Sequence, residues 1–403
     1  MKIKICRSCG SKNLTKILSL GDQYLSDFVK TNKRPKSFPL NIVICKKCHL
    51  VQLDYTVPAK YLYTERYGYR SGINLTMQEE LKEIVDKCLE MISSTKKITA
   101  VDIGANDGTL LKQYSKSVVR IGVEPITKLA KECKKNANKV VNDFFSYKSF
   151  KKVAGNIRAD IVTVISCFYD MEQPNNFISD VKKILKEDGI LVIQQNYLVG
   201  MLKQNAFDNI VHEHLEYYSL LSLNNLLKKH GLEVFDVKLR DLNGGSFRTY
   251  VSLAGNKKIS NAVKKMVISE KKLGLHKLKE YRDFAKRIES NKKKLFQFIK
   301  QENKGGKTIY LYGASTRGNT LLQYFGLDKD LIKKAVERNP EKWGKIIASV
   351  GIPIISEREA RKDKPDYMLV LPWFFKEEFL DREQKYLKNG GHFIFPLPKL
   401  EII

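Results

Sequence analysis

The chain has 403 residues, of which 43% are hydrophobic and 29% charged, a composition typical of a globular protein with two or three domains. Its formal net charge is +28, but the lysines are spread along the chain without an arginine-rich tract, which favours anionic small molecules over nucleic acid as partners. No apolar run reaches about 18 residues, and the N-terminus has no signal-peptide pattern. These features argue against a membrane-spanning protein and predict a cytoplasmic one with no membrane partner.

Four of the seven cysteines form two C-x2-C pairs near the N-terminus. Each such turn presents two thiolates to one metal ion, and four thiolates close a tetrahedral zinc site. Residues 1–60 are therefore predicted to form a small module around a structural zinc ion. The odd number of cysteines argues against a disulfide framework. The predicted ligands are Cys6, Cys9, Cys45 and Cys48.

A tyrosine-rich segment, residues 61–71, begins the next predicted domain, which we place at residues 61–256. Tyr67 and Tyr69 lie in this segment on either side of a glycine. Such aromatic segments form a pocket wall in some proteins and cap a core in others, and both interpretations stay open. An amphipathic pattern over residues 75–94 then predicts a helix.

Residues 101–111 have the pattern of a strand, a glycine turn and a helix. The turn reads Asp-x-Gly-x-Asn-x-Gly, and no Lys-Ser or Lys-Thr follows, so it is not a Walker phosphate loop. This stretch resembles the glycine loop of class I S-adenosylmethionine (SAM) methyltransferases. The predicted cofactor-binding residues in it are Asp102, Gly104, Asn106, Asp107 and Gly108.

Two further strands follow at the spacing of a doubly wound sheet. Glu124 ends the second strand 22 residues after Asp102, where an acidic side chain binds the hydroxyls of an adenosine ribose. A third predicted strand, residues 139–145, places Asp143 near the adenine amino group and Phe144 against the adenine ring. SAM is therefore the predicted cofactor.

Further candidates follow the next two strands, because ligands of open α/β sheets bind beyond the carboxyl ends of the strands. The fourth predicted strand, residues 160–166, is followed by a loop with Tyr169 and Asp170. Asn196 follows the strand at residues 190–195 in the same way. We predict a catalytic role for Asp170 and substrate contacts for Tyr169 and Asn196.

Residues 212–214 read His-Glu-His, and two adjacent tyrosines follow shortly after. On a helix the two histidines would not share a face, so the segment is a poor metal site and better suits acid–base chemistry. One imidazole would abstract a proton while the glutamate orients a ring or binds a hydroxyl. The alternative is a histidine pair that is satisfied at an interface. The predicted catalytic residues are His212, Glu213 and His214, with Tyr218 as a substrate contact.

Residues 241–248 end the central domain with a Gly-Gly turn that allows close backbone approach. Arg248 closes this stretch and is a candidate partner for a phosphate or carboxylate of the substrate.

A third predicted domain, residues 257–403, begins with a basic amphipathic helical region and continues as a second Rossmann-like α/β unit. Its strand and glycine turn lack the acidic adenosine pattern of the first sheet. We therefore expect Ser315, Arg317 and the N–H groups of this turn to bind substrate phosphates.

In this order, the motifs resemble those of the sugar C-methyltransferases that act on nucleotide-linked 4-ketosugars, and the resemblance spans nearly the whole chain. It implies His214 as the general base near the sugar, Glu213 as a ligand for a substrate hydroxyl, and a tyrosine of the pair Tyr67 and Tyr69 in the pocket, where we predict a catalytic role for both. It also implies that the 4-keto group acidifies the C3–H bond, so that an enolate forms and attacks the methyl group of SAM.

Two positions depart from the family pattern. Val211 stands where members often carry tyrosine, and Asp170 where they often carry histidine. O- or N-methylation of a related nucleotide-sugar or small molecule therefore stays open. An RNA methyltransferase that clamps RNA with its zinc module and a non-catalytic SAM-binding protein are further alternatives. We expect a monomer or homodimer with a nucleotide-linked sugar as its substrate.

Overall fold

The computed structural model describes residues 1–31, 33–62, 70–73, 75–92, 97–242 and 244–403, which form three β-sheets connected by helices. Tyr67 and Tyr69, predicted to lie in the pocket, fall outside these residues. Within them, no helix has both the length and the apolar character needed to cross a bilayer.

The elements are numbered in chain order. The strands are β1 Leu14–Tyr24, β2 Phe28–Val29, β3 Ser37–Cys45, β4 Val51–Leu53, β5 Thr99–Ile103, β6 Val119–Val123, β7 Lys139–Val141, β8 Ala159–Ile165, β9 Leu185–Asn196, β10 Glu216–Tyr217, β11 Leu232–Arg240, β12 Ser246–Leu253, β13 Ile309–Tyr312, β14 Ala335–Glu337, β15 Ile346–Ile347, β16 Ile352–Ser356, β17 Tyr367–Val370, β18 His392–Phe395 and β19 Glu401–Ile402. The helices are α1 Leu75–Met91, α2 Thr109–Lys112, α3 Thr127–Cys133, α4 Tyr147–Ala154, α5 Pro174–Ile184, α6 Leu198–Lys203, α7 Leu220–Lys228, α8 Asn261–Leu273, α9 Lys279–Lys304, α10 Thr316–Phe325, α11 Glu357–Asp363, α12 Lys376–Arg382 and α13 Gln384–Lys388.

The N-terminal sheet has the order β1-β3-β4-β10 and is antiparallel throughout. Its last strand comes from far along the chain, with Glu216 opposite Gln52 and Tyr217 opposite Val51. Because β10 follows the His-Glu-His segment directly, this pairing attaches that segment to the N-terminal module.

The central sheet has the order β11-β12-β9-β8-β5-β6-β7, and its strands from β9 to β7 are parallel. All five residues of β5 are buried, as expected for a strand covered on both faces. The strand order reverses between β5 and β8, which opens a crevice at their carboxyl ends. The predicted doubly wound α/β domain is confirmed.

The C-terminal sheet has the order β19-β18-β17-β13-β14-β16-β15-β2, with five parallel strands from β18 to β16. This confirms the second Rossmann-like sheet. Its last strand, β2, belongs to the N-terminal region and pairs with β15. The domain boundaries at residues 60 and 256 stay a prediction, and two short strands, β2 and β10, cross them.

The predicted helical region before this sheet consists of α8 and α9. Gly274 separates them, because its left-handed φ of 70° ends α8. Helix α9 has 26 residues and buries one apolar stripe at helical spacing, while its lysines lie on the other faces. The buried apolar residues are Tyr281, Phe284, Ile288, Leu295 and Ile299.

Arg248 lies in β12 with a fully buried side chain. Its Nη2 donates to Glu80 Oε1 of α1 at 2.6 Å, and its Nε donates to Gln194 Oε1 at 2.7 Å. The prediction that Arg248 binds a phosphate or carboxylate of the substrate is therefore wrong. Its carboxylate partner is Glu80, and the ion pair attaches α1 to the central sheet.

Candidate active site

The four cysteines of the C-x2-C pairs come together in one cluster. Their sulfur atoms all lie within 4.8 Å of one another, and Cys6 Sγ is 3.5 Å from Cys48 Sγ. Zinc bound tetrahedrally at about 2.3 Å needs sulfurs roughly 3.8 Å apart, so the donor set fits this ion. Four protein ligands fill the coordination sphere, which makes the zinc structural.

The zinc module also forms one wall of a cavity in the central domain, to which Thr56, Val57 and Leu62 contribute. Arg7 lies between two of the cysteine ligands and donates to Leu53 O at 2.6 Å and to Thr56 Oγ1 at 2.9 Å. The metal-binding turn therefore holds the segment that reaches the cavity.

This cavity has a volume of about 360 Å³ and lies at the carboxyl ends of β5, β6 and β8, where the strand order reverses. The glycine turn, the end of β6, the loop after β8 and the zinc module surround it. Its size and position suit a nucleoside-sized ligand. The predicted site residues that line it are Asp102, Gly104, Asn106, Glu124, Phe144, Asp170 and Glu213.

The glycine turn needs its glycines for conformation and for space. Gly104 has a φ of +77°, and a Cβ atom there would lie 2.7 Å from Cys167 Sγ. The N–H groups of Gly104 and Ala105 both donate to Val123 O, which joins the turn to the end of β6. A bound nucleoside can therefore approach the backbone closely here.

The carboxylate of Glu124 is held by backbone donors. Asn106 N–H donates to its Oε2 and Ile126 N–H to its Oε1, each at 2.9 Å. Each oxygen keeps a lone pair, so the group can still accept both hydroxyls of a ribose. Burial raises the pKa of Glu124, and the two hydrogen bonds oppose that shift.

Asp102 lies at the base of the cavity and accepts a hydrogen bond from Thr163 Oγ1 at 2.6 Å. Burial raises the pKa of Asp102 to about 7. This carboxyl group therefore favours a cationic partner, such as the amino group of SAM, that would stabilise its charged form.

Three predicted cofactor residues are placed differently. Asp107 accepts the Gly72 N–H at 2.9 Å, which fixes the segment before α1 onto the glycine turn. Gly108 packs against Cys133 at the start of α2. Asp143 is exposed and accepts the Phe144 N–H at 2.8 Å. Direct contact of these residues with the cofactor stays a prediction.

The His-Glu-His segment forms a turn and not the helix considered from the sequence. His212 is buried, its Nε2 donates to Phe38 O at 3.1 Å, and its ring packs edge-on against the Phe38 ring. Burial lowers the pKa of His212. These contacts correct the catalytic assignment of His212 and match the alternative of a histidine that is satisfied at an interface.

His214 has a different environment. Its Nδ1 donates to Asn209 O at 2.8 Å, and its ring stands edge-on to Tyr169 with 4.4 Å between the centroids. Burial lowers the pKa of His214 to about 4, and the charge of Arg317 acts in the same direction. The imidazole is therefore neutral at pH 7, with its proton on Nδ1 and a lone pair on Nε2.

Three other predicted residues line the cavity or contact the hydrogen-bond partner of His214. Glu213 and Asp170 line the cavity, and burial raises the pKa of Glu213. Asn196, the last residue of β9, donates from Nδ2 to Asn209 Oδ1 at 3.0 Å. A neutral base and carboxyl groups thus lie beside the crevice of the central sheet.

Tyr218 does not reach the cavity wall. It is fully buried, stacks on Phe168 with 5.2 Å between the centroids, and donates to Glu216 Oε2 at 3.1 Å. The prediction that Tyr218 contacts the substrate is corrected, because its ring and its hydroxyl group both have partners inside the core.

The two side chains predicted to bind phosphate in the C-terminal domain also have protein partners. Ser315 Oγ accepts the Gly318 N–H at 3.0 Å and caps α10, and Arg317 Nη2 lies 2.8 Å from Asp208 Oδ2. Both assignments are corrected on this geometry. The domain also carries an acid at the end of β14, contrary to expectation, since Glu337 Oε2 accepts the Ala314 N–H at 3.2 Å.

Sequence reasoning missed residues that act on the site from a distance. Asn209, which holds His214, belongs to no motif. Tyr217 is a second such residue. It is buried, and the charges of Asp170 and Glu213 add to burial in raising the pKa of its phenol. No local pattern marked the cavity wall of the zinc module, because it depends on pairing across the chain.

Three family models match the chain. They are the zinc binding domain at residues 6–63, the methyltransferase domain at residues 73–237 and the C-methyltransferase C-terminal domain at residues 241–398. The C-methyltransferase NovU of Streptomyces niveus is 31% identical over 405 residues, covering 99% of this chain and 96% of NovU.

Two solved methyltransferases align with less than half of the chain. A SAM-dependent methyltransferase of Clostridium acetobutylicum is 13% identical over 44% of this chain and 92% of its own, with a TM-score of 0.36. The magnesium protoporphyrin IX methyltransferase of Synechocystis is 11% identical over 46% of this chain and 86% of its own, with a TM-score of 0.34. Overlaps at this level carry no argument about function.

A doubly wound sheet with a glycine turn after its first strand and a backbone-held acid after its second defines a class I SAM methyltransferase. With the full-length match to NovU and the three family models, the chain belongs to the sugar C-methyltransferase family. It is a SAM-dependent C-methyltransferase with a structural zinc ion.

Proposed function

We propose that this enzyme transfers the methyl group of SAM to C3 of a nucleotide-linked 4-ketosugar, with His214 as the base that forms the enolate. The observation that carries the proposal is the state of this imidazole. Its Nδ1–H is committed to Asn209 O, which leaves a lone pair on Nε2 of a neutral ring, and its chain neighbours Glu213 and Leu215 line the cavity.

A ketone at C4 lowers the pKa of the neighbouring C3–H, so a neutral imidazole is a sufficient base. Nε2 would take this proton, and the electron pair of the C–H bond would move toward the ketone oxygen. SAM supplies an electrophilic methyl group when bound. The protein contributes mainly by holding the nucleophilic carbon in line with that methyl group and excluding water.

Other residues take supporting roles in this proposal. The anchored Glu124 carboxylate would bind the ribose hydroxyls, and Phe144 would cover the adenine ring. Asp102 and Asn106 would face the remainder of the cofactor. Glu213 would accept a hydrogen bond from a sugar hydroxyl.

Product analysis tests the proposal. We would incubate the enzyme with 13C-methyl SAM and matched nucleotide-linked sugars that carry either a ketone or a hydroxyl at C4, and record proton and carbon NMR spectra. The expected product carries its methyl group on carbon, forms only from the ketosugar, and is lost in His214→Ala but kept in His392→Ala. A methyl group on oxygen or nitrogen, or turnover of the 4-hydroxy sugar, would contradict the proposal.

We also propose that the sugar substrate is linked to a nucleotide and that the enzyme is cytoplasmic. We propose further that it is a monomer or a homodimer. Sedimentation equilibrium with and without SAM would decide between monomer and homodimer. A tetramer or larger assembly would contradict this part.

A further inference from the structure

The segment that holds His214 is bound from the other side by the C-terminal domain. Asp208 is almost fully buried, with 1% of its side chain exposed, and its Oδ2 lies 2.8 Å from Nη2 of Arg317. Arg317 Nε and Trp373 Nε1 donate to the same oxygen at 3.1 Å and 3.2 Å. Three donors of the C-terminal domain, two from Arg317 in the first turn of α10 and one from Trp373 after β17, thus converge on one carboxylate.

This carboxylate is one residue away from the group that orients the histidine. Asn209 accepts the His214 Nδ1–H on its carbonyl oxygen at 2.8 Å. Its side chain is fixed as well, because Asn196 donates to its Oδ1 at 3.0 Å. A shift of Asp208 would therefore move the acceptor that sets the tautomer and the ring orientation of His214.

Arg317 is enclosed on the remaining sides. Its guanidinium lies over the Phe374 ring, 4.7 Å from the centroid. Gly244 of the central domain approaches so closely that a Cβ atom there would lie 3.2 Å from the Trp373 ring and 3.5 Å from Arg317 Nη2. An arginine confined in this way keeps one geometry, which is what a positioning contact needs.

We propose that Arg317 is a positioning residue, through which the C-terminal domain holds the catalytic histidine by way of Asp208 and Asn209. The inference rests on the proposed function only in taking His214 as the base. It gives the second Rossmann-like domain a part in catalysis that is separate from substrate binding. It also explains why the Gly-Gly turn approaches this corner of the molecule.

The test compares Arg317→Lys and Arg317→Ala with Arg361→Gln, which removes another arginine–carboxylate pair of the same domain, that of Arg361 with Glu383. Four quantities are measured in the full-length, zinc-loaded protein with SAM. They are the SAM dissociation constant, kcat and KM for the ketosugar, and the NMR signal of the His214 Nδ1–H.

In Arg317→Ala we expect kcat to fall by about 100-fold, the scale of a misplaced catalytic group, while KM and SAM binding change less than about threefold. The His214 Nδ1–H signal should broaden or shift. Guanidinium ion at millimolar concentration should restore part of the activity, and Arg317→Lys should keep more of it. Arg361→Gln should match the wild type in all four quantities.

Two results would overturn the inference. The first is an unchanged His214 signal in Arg317→Ala and Arg317→Lys. The second is a raised KM at constant kcat, which would make Arg317 a ligand of the substrate. If the wild type methylates no ketosugar, the proposed function fails, and the NMR comparison still decides the positioning role because it needs no substrate.

Discussion

His214 is a neutral ring at pH 7, because burial, assisted by Arg317, lowers its pKa from 6.5 to about 4. The folded state thus binds fewer protons at this site than the unfolded state. Protonation of His214 therefore lowers the free energy of unfolding increasingly as the pH falls from 6.5 toward 4. Above pH 6.5 it has no effect. The same shift keeps the base available in mildly acidic solution.

We therefore expect NMR titration of His214 to show a neutral ring down to about pH 5 and a midpoint near pH 4. The enzyme's kcat/KM should stay constant as the pH drops through 6.5. With an exposed histidine as the base, kcat/KM would fall in this range. His214→Asn identifies the signal. A midpoint near 6.5 would show that the ring is solvated and would contradict its environment in the structure.

A second prediction concerns the ion pair of Arg248 with Glu80. Glu80→Gln removes the buried carboxylate that pairs with Arg248 at 2.6 Å and leaves only the more distant, partly exposed Glu83. It should lower the free energy of unfolding by about 3–5 kcal/mol. Glu83→Gln is the matched control, because Glu83 is 36% exposed and lies 3.4 Å from Arg248 Nη1. That change should cost less than about 1 kcal/mol. Urea unfolding measures both changes. Equal losses of unfolding free energy in Glu80→Gln and Glu83→Gln would contradict the account.

Among the structural elements, the glycine turn is the most sensitive to side-chain volume. Gly104→Ala combines a positive φ with a Cβ only 2.7 Å from Cys167 Sγ, whereas a Cβ at Gly255, where φ is +86°, would have no neighbour within 4 Å. Both alanines carry backbone strain of about 1–2 kcal/mol. Only Gly104→Ala should displace the loop after β8.

Isothermal titration calorimetry separates the two effects. We expect Gly104→Ala to weaken SAM binding by about tenfold or more, equivalent to roughly 1.4 kcal/mol, and Gly255→Ala to leave it unchanged. Equal SAM affinity in the two variants would argue that the turn does not carry the cofactor.

A further prediction concerns the zinc module as a unit. Since its segment 53–62 forms part of the cavity wall, loss of zinc should abolish methyl transfer and not only lower stability. Cys45→Ala should lose zinc and activity together, while Cys88→Ala, which removes a buried thiol outside the cluster, should keep both. Metal content and activity are measured on the same samples. Full activity in zinc-free protein would contradict the role of the wall.

At the scale of the whole molecule, the three regions contribute strands to one another's sheets. The N-terminal region gives β2 to the C-terminal sheet and receives β10 from the central region. The site is accordingly built from all three, with a wall from the zinc module, a cofactor crevice from the central sheet and Arg317 from the C-terminal domain. Such exchange explains why the His-Glu-His segment is held without belonging to a helix or strand.

The sequence predicts what short spacings determine. The cysteine cluster and the position of Glu124 follow from local patterns, and the structure agrees with both placements. Arg248 could not be assigned this way, because its partner Glu80 lies 168 residues away in the sequence. His212 and His214 look equivalent in sequence and differ in the structure through their contacts, His212 with Phe38 and His214 with Asn209 and Tyr169.

The central claim, that His214 removes a proton from the carbon next to a ketone, can be measured without methyl transfer. The full-length enzyme is incubated in D2O with a nucleotide-linked 4-ketosugar and S-adenosylhomocysteine, and the C3–H signal is followed by NMR. We predict enzyme-dependent loss of this signal, slowed by about 100-fold or more in His214→Ala, the usual contribution of a general base. Retention of the C3–H signal with wild-type enzyme, or equal exchange in His214→Ala, would contradict the account.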